Sequence, residues 1–149
     1  MAIMDAKLEF SDAQDISASS GSNNDSTNVI NLGSGANWMG TSVEPAIGDK
    51  LQLQMNVATT FAGASAVLTV TLITDDNASF NSGKTLRTFR TWKVGTDTLS
   101  AGTLLIDEDI SAKDMEQYVK LNYAVSGANL TTAAVDAFLT WGAVPDIAV

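Results

Sequence analysis

The chain has 149 residues, enough for one domain with a substantial core, and 45% of them are hydrophobic, which excludes an intrinsically disordered chain. Seventeen acidic residues against eight basic ones give a net charge of −9, so a polyanion such as DNA would be repelled. The chain has neither cysteine nor histidine, which excludes disulfides, thiolate metal sites and every mechanism that needs a Ser-His or Cys-His pair.

No segment predicts export or membrane insertion. The first ten residues contain Asp5 and Glu9 where a signal peptide would have an uninterrupted apolar core. No window approaches the roughly 20 apolar residues of a membrane span. We therefore expect a single domain over residues 1–149 that is made in a cytoplasm and has no membrane partner.

Most apolar residues recur with a period of two, the pattern of a strand with one buried face. Turn-forming clusters separate these segments, and no long helical pattern lies between them. The predicted strands are residues 7–10, 27–32, 51–57, 67–74, 86–94, 103–106, 119–125 and 135–141. Short, evenly spaced strands of this kind predict an all-β fold, here an eight-stranded antiparallel β-sandwich resembling a jelly roll.

Two segments do not fit the strand pattern. Residues 17–27 read SASSGSNNDST and cannot bury apolar area, so they predict a surface loop. Residues 111–117 predict at most one short helical turn, with Ser111 as its cap and Asp114 three residues later.

Half of the cations lie close together, in or just before the strand predicted over residues 86–94, at Lys84, Arg87, Arg90 and Lys93. Strict alternation places Arg87 and Lys93 on one face and Lys84 and Arg90 on the other. The run is either a solvated strand with ordinary charges or a docking patch for an acidic protein surface. Nucleic acid is the least favoured partner.

Candidate metal and catalytic sites are weak. Asp75, Asp76, Asn77 and Asn81 offer oxygen ligands for Ca²⁺, but their spacing does not match an EF-hand, and these residues also favour plain turns. Residues 107–109 (DED) follow a predicted strand directly, and consecutive carboxylates usually point apart rather than face one sugar. The sequence therefore predicts no catalytic residue, no metal and no cofactor.

Aromatic residues leave a carbohydrate-binding sandwich as an alternative function. By strand parity, Trp92 and Trp141 share a side with apolar residues, which favours the core or an interface. Trp38 lies in a glycine-rich segment and is the best candidate for an exposed sugar platform.

Four further segments occur in an order typical of a known family: DAKLEFSDAQDI (5–16), STNVINLG (26–33), VLTVTLITDDNASF (67–80) and YVKLNYAVSG (118–127). They resemble the small cement, or decoration, proteins of tailed bacteriophages, of the jelly-roll type that lies outside the capsid shell. The resemblance implies a non-enzymatic virion protein on the capsid exterior that binds the major capsid protein shell and bridges neighbouring subunits. It also implies self-association, with a homodimer favoured and a trimer as the alternative.

A cement protein binds through many weak contacts that repeat over a lattice and gain strength by avidity. Two segments are candidates for these contacts, the N-terminal segment and the basic strand. The candidate residues are Lys7, Phe10, Arg87, Arg90, Trp92 and Lys93. Another virion role, such as a tail or fibre component, is a further alternative.

Overall fold

The described part of the chain folds into nine β-strands. The computed structural model describes residues 8–32, 50–111 and 114–141, and contains no α-helix within these ranges. In particular, they include no helix that is long and apolar enough to cross a membrane. The strands are β1 (Glu9–Asp15), β2 (Asn23–Asp25), β3 (Ile30–Asn31), β4 (Lys50–Ala62), β5 (Val67–Asp75), β6 (Lys84–Lys93), β7 (Leu104–Ser111), β8 (Tyr118–Ser126) and β9 (Thr132–Trp141). Each of the eight predicted strands overlaps an observed one, and only β2 was not predicted.

The strands form two antiparallel sheets that enclose one core. The first sheet has the order β1-β9-β4-β7, and the second has the order β2-β8-β5-β6 with β3 also paired to β8. β2 lies beside the C-terminal half of β8 and β3 beside its start, so together they take the place of one interrupted strand.

Counted this way the sandwich has eight strands, and their pairing is nested. β1 pairs with β9, β2 and β3 with β8, β4 with β7, and β5 with β6. Nested pairs of this kind arise when one long hairpin rolls up, which is the topology of a jelly roll. The predicted fold, an eight-stranded antiparallel sandwich resembling a jelly roll, is therefore confirmed.

The core follows the predicted period of two in four strands. Successive side chains of a strand point to opposite faces, so alternate apolar residues gather on the inner side. The buried residues are Leu51, Leu53, Met55 and Val57 in β4, Leu68, Val70 and Leu72 in β5, Val119, Leu121, Tyr123 and Val125 in β8, and Val135, Ala137 and Leu139 in β9. The side chain of Trp141, predicted to join them, lies outside the described part of the chain.

β6 departs from this period. Its pairing with β5 contains two irregularities, and in each of them β6 has one residue more than β5. Each extra residue forms a β-bulge, which shifts the side chains beyond it to the other face. The side chains directed to the core are therefore three residues apart: Leu86 is half-buried, and Phe89 and Trp92 are buried. The predicted strict alternation in this strand is wrong for that reason.

A chain of hydrogen bonds crosses the core between the sheets. Ser11 Oγ donates to Gln14 Oε1 at 2.6 Å, so the buried Tyr123 hydroxyl, 2.8 Å from Ser11 Oγ, acts as donor to Ser11. Burial raises the pKa of Tyr123, which keeps its phenol protonated. Gln14 also accepts from the Thr27 backbone N–H and donates to the Asp25 carbonyl, both at 2.8 Å. This network closes the side of the sandwich between β1 and β2.

A buried carboxylate organises the turn between β5 and β6. Asp75 is inaccessible to solvent, and its two oxygens accept the backbone N–H groups of Asn77 at 3.0 Å and Ser82 at 2.9 Å. Burial opposes ionisation, but these hydrogen bonds hold the pKa of Asp75 below its usual value, while hydrogen bonding and charge from Asp75 raise the pKa of Asp76. The backbone N–H groups of the turn therefore act as the hydrogen-bond partners of the buried Asp75 carboxylate.

We expect Asp75→Asn to destabilise the protein at neutral pH and to weaken its loss of stability in acid. The amide has one acceptor oxygen, so one of the two N–H groups loses its partner. Because the folded pKa is lowered, the carboxylate stabilises the fold above its ordinary pKa of 3.8, and this contribution disappears as the pH falls through the folded value. Urea unfolding at about pH 7 and about pH 3 measures the difference. Equal acid losses in wild type and variant would contradict this role.

One local prediction is corrected. Residues 17–27, predicted as a loop, contain β2, which pairs residues 23–25 with residues 122–124 of β8. The segment is polar because only one of its residues, Ser26, is buried. Of the helical turn predicted over residues 111–117, Ser111 is the last residue of β7 and Asp114 has the 3₁₀ conformation, while residues 112–113 lie outside the described ranges.

Candidate partner-binding surfaces

The structure divides the predicted contact residues into a buried group and an exposed group. Phe10 is fully buried and Trp92 is 1% exposed, so both pack in the core and offer no surface to a partner. Their prediction as contact residues is corrected accordingly. Lys7 lies outside the described residues. The exposed group, all on β6, consists of Arg87, Arg90 and Lys93.

Most cations of β6 are paired within the chain. The ion pairs are Lys84–Glu116 at 2.8 Å, Arg90–Asp97 at 3.1 Å and Arg87–Glu108. Lys93 has no ion pair with any described residue. Exposed pairs of this kind contribute little to stability. They do, however, offset the positive potential of β6, so this strand is a weaker docking patch than its sequence indicates.

One of these pairs joins the two sheets. Arg87 lies opposite Leu72 on β5, and Glu108 lies opposite Leu53 on β4, so both charged side chains start from the inner side of their sheets. They meet across the open side of the sandwich between β6 and β7. The Arg87 guanidinium also lies 5.5 Å from the centroid of the Phe89 ring and covers that edge of the core.

The two sheets carry charges of opposite sign. The strands of the first sheet contain seven carboxylates and one cation, Lys50, whereas those of the second contain two carboxylates and five cations. The first set is Glu9, Asp12, Asp15, Asp107, Glu108, Asp109 and Asp136; the second set of cations is Lys84, Arg87, Arg90, Lys93 and Lys120. The linear sequence does not show this asymmetry, because the strands of each sheet are interspersed with those of the other along the chain.

The outer side of the first sheet forms a carboxylate face, defined by Glu9, Asp12, Asp107, Asp109 and Asp136. Two of these carboxylates accept hydrogen bonds from neutral groups: Asp136 accepts the Ala13 N–H at 2.6 Å, and Asp107 accepts the side-chain amides of Gln52 and Gln54 at 2.5 and 3.3 Å. Partial burial and the charges of Asp12 and Asp136 raise the pKa of Glu9. No described ion pair neutralises this face.

The outer side of the second sheet forms a threonine face, defined by Thr69 and Thr71 on β5 and Thr85, Thr88 and Thr91 on β6. Thr69 lies opposite Thr91, and Thr71 lies opposite Thr88. The three threonines of β6 are exposed and the two of β5 are half-buried. These five side chains present methyl and hydroxyl groups, and the exposed Lys93, opposite Val67, places one cation at the end of the same side.

Two charges beside the threonine face, Asp25 and Lys120, neutralise each other. Asp25 accepts Lys120 Nζ at 2.7 Å and Asn122 Nδ2 at 2.9 Å, one on each oxygen. Partial burial opposes its ionisation, but these hydrogen bonds hold the pKa of Asp25 below its usual value. The ring of Phe80, in the β5–β6 turn, lies 4.4 Å from Lys120 Nζ and covers it.

The other candidate sites do not assemble in the described residues. No three acidic side chains among them are grouped in a way that would hold a metal ion. Residues 107–109 lie inside β7 rather than after a strand, with Glu108 directed away from its two neighbours. The proposed sugar platform Trp38 lies outside the described part of the chain.

A shallow recess of about 360 Å³ opens where β1, β4 and β9 meet. Asp15 is the titratable residue of its lining, and it accepts the N–H and the hydroxyl of Ser17 at 2.8 and 2.5 Å. The lining residues are Ala13, Asp15, Ser17, Thr59, Thr131, Thr132, Ala133 and Ala134. A single carboxylate that is already hydrogen-bonded does not make a catalytic arrangement.

The bulges of β6 had a sequence signal that strict alternation misses. Residues 85–93 read TLR-TFR-TWK, a threonine, an apolar residue and a cation repeated three times. A period of three does not fit a regular strand, so it indicates either extra residues or another structure. In the structure the threonines form the outer face and the apolar residues reach the core.

Comparison with known proteins assigns the chain to a family. A model of the Bbp16 family matches residues 10–139, a range that contains strands β2 to β8 entirely and most of β1 and β9. No curated protein matches the chain. Because the match covers far more than half of the sequence, the chain belongs to the Bbp16 family, which is phage-related.

Proposed function

We propose that the chain is a structural virion protein that binds the outer surface of a tailed-phage capsid and cements neighbouring major capsid protein subunits. The observation that carries the proposal is the Bbp16 match, because it extends over the whole sandwich instead of one motif. The resemblance of four segments to jelly-roll cement proteins, in the same order along the chain, supports the same role.

The distribution of polar groups is consistent with such a role. Many of the described carboxylates accept backbone N–H groups, amides or nearby cations, and they lie on broad sheet faces and in turns. A rigid sandwich with wide faces suits binding by many shallow contacts that are repeated over a lattice. In this proposal the protein has no substrate and no cofactor, and its partners are the shell and a second copy of itself.

Co-sedimentation tests the proposal. Purified protein is mixed with mature, undecorated phage shells in one series and with unassembled capsid subunits in another. Saturable binding to shells alone, at a stoichiometry that matches a symmetry position, is the expected result. Absence of binding to both would overturn the proposal, and equal binding to shells and free subunits would remove the cementing role.

The β6 edge is the candidate contact that this assay examines first. We expect Arg87→Ala/Arg90→Ala to weaken shell binding by about tenfold, because two charged contacts per copy would be lost. The matched control is Ser100→Glu/Ala101→Glu, which changes the net charge by the same amount through exposed positions of the β6–β7 connection that lie beside β4 instead of the β6 cations. Unchanged binding of the arginine variant, or an equal loss in the control, would exclude a specific contact through this edge.

A further inference from the structure

The free edges of both sheets are poorly suited to pairing with another copy. β1 contains two irregularities in its pairing with β9, β6 contains two bulges, and β2 and β3 form an interrupted strand. β7 is regular over most of its length, but it carries three consecutive carboxylates, so two antiparallel copies of it would repel each other. Bulges and edge charges are the features by which β-proteins prevent edge-to-edge association.

The carboxylate face is equally unsuited to self-association. In a twofold dimer each surface patch meets the same patch of the partner, so its charges meet charges of their own sign. The five carboxylates of that face have no described ion-pair partner. Pairing through it would bring ten carboxylates together, with a large cost from repulsion and desolvation.

The threonine face lacks the carboxylates of the other face. Its five threonines are uncharged, and the adjacent Asp25 is neutralised by Lys120. Lys93, opposite Val67 at the end of the face, adds one cation that has no ion pair with a described residue. With four strands about 4.8 Å apart and about eight residues rising about 3.3 Å each, the outer side of the second sheet has a flat area of roughly 500 Å². Two copies together would bury about 1,000 Å², which is the lower limit for a specific protein–protein interface.

We propose that a second copy of this chain packs against the threonine face, so that the second sheets of the two copies lie face to face about a twofold axis. Threonine methyl groups on rows from β5 and β6 would interleave with those of the partner, as side chains do between packed sheets. The carboxylate faces would then point outward on both sides of the dimer. This proposal deepens the proposed function, because it names the surface of the expected homodimer.

Sedimentation velocity between about 1 μM and about 1 mM, without capsids present, tests the interface. The variant is Thr71→Arg/Thr88→Arg, which places two cations at neighbouring positions near the middle of the face. Its matched control is Ser100→Arg/Ala101→Arg, with the same charge change at exposed positions that lie beside β4 of the first sheet. We expect the wild type and the control to dimerise, and the face variant to do so at least about tenfold more weakly.

A wild type that remains monomeric over this range would overturn the proposal, and so would a face variant that dimerises as strongly as the wild type. Thr91→Arg alone, at the exposed end of the face, is the second variant if the double substitution impairs folding, which circular dichroism reports. Because the assay contains no shells, its result is independent of shell binding. Co-sedimentation of the same variants then tests the proposed function separately.

Discussion

Replacing Trp92 with alanine is expected to lower the free energy of unfolding by about 3–5 kcal/mol. Trp92 is 1% exposed and is one of the largest fully buried side chains in the described core. It lies opposite Leu68 on β5, and the Arg90 guanidinium, 5.5 Å from its ring centroid, shields it from solvent. The substitution leaves a cavity at the β6 edge that the two sheets cannot fill without moving. Urea unfolding at neutral pH measures the loss.

The control for this prediction is Thr91→Ala in the same strand. Thr91 is exposed, so we expect its substitution to change stability by no more than about 0.5 kcal/mol. Comparable losses in the two variants would mean that Trp92 does not stabilise the fold through burial between the sheets.

Replacing Gly63 with alanine should cost about 2–5 kcal/mol, the combined effect of backbone strain and overlap. Gly63 lies in the turn between β4 and β5 at a φ of +152°, where side chains are disfavoured. A Cβ there would overlap the carbonyl oxygen of Asn129 and lie 3.3 Å from the Leu130 Cα. Both are backbone atoms of the β8–β9 connection and cannot rotate away, so two connections would have to separate. The shift in urea midpoint reports the cost.

Gly95→Ala separates strain from overlap. Gly95 also has a positive φ, +87°, but no atom lies within 4 Å of the position that a Cβ would take. We expect it to cost only the left-handed backbone strain, about 1–2 kcal/mol. If Gly63→Ala cost no more than Gly95→Ala, close approach of the two connections would not be the reason for glycine at position 63.

The sequence predicted the strands with a continuous buried face, because burial on one side imposes a strict period of two. β4, β5 and β8 show that period without interruption, and their buried residues are the predicted ones. β2 was missed because Asn23–Asp25 has no apolar residue. Its structure depends on pairing with β8, about 100 residues later, and no local pattern reports such a pairing.

Candidate surfaces were harder to predict, because they depend on which strands are neighbours in space. Arg87 and Glu108 were both noted in the sequence, but their pairing requires that β6 and β7 occupy adjacent edges of different sheets. The opposite charges of the two sheets require the full strand order. Phe10 and Trp92 were predicted as partner contacts, but burial within the chain's own core leaves them no surface to offer.

Because of its two bulges, the side-chain pattern of β6 repeats every three residues instead of every two. Inserting or deleting a single residue in a strand turns every side chain beyond it to the opposite face. Within residues 85–93, gain or loss of one whole triplet returns threonine to the outside and an apolar residue to the core. A change of length by one triplet therefore preserves the arrangement of this strand, whereas a change by one residue reverses its faces.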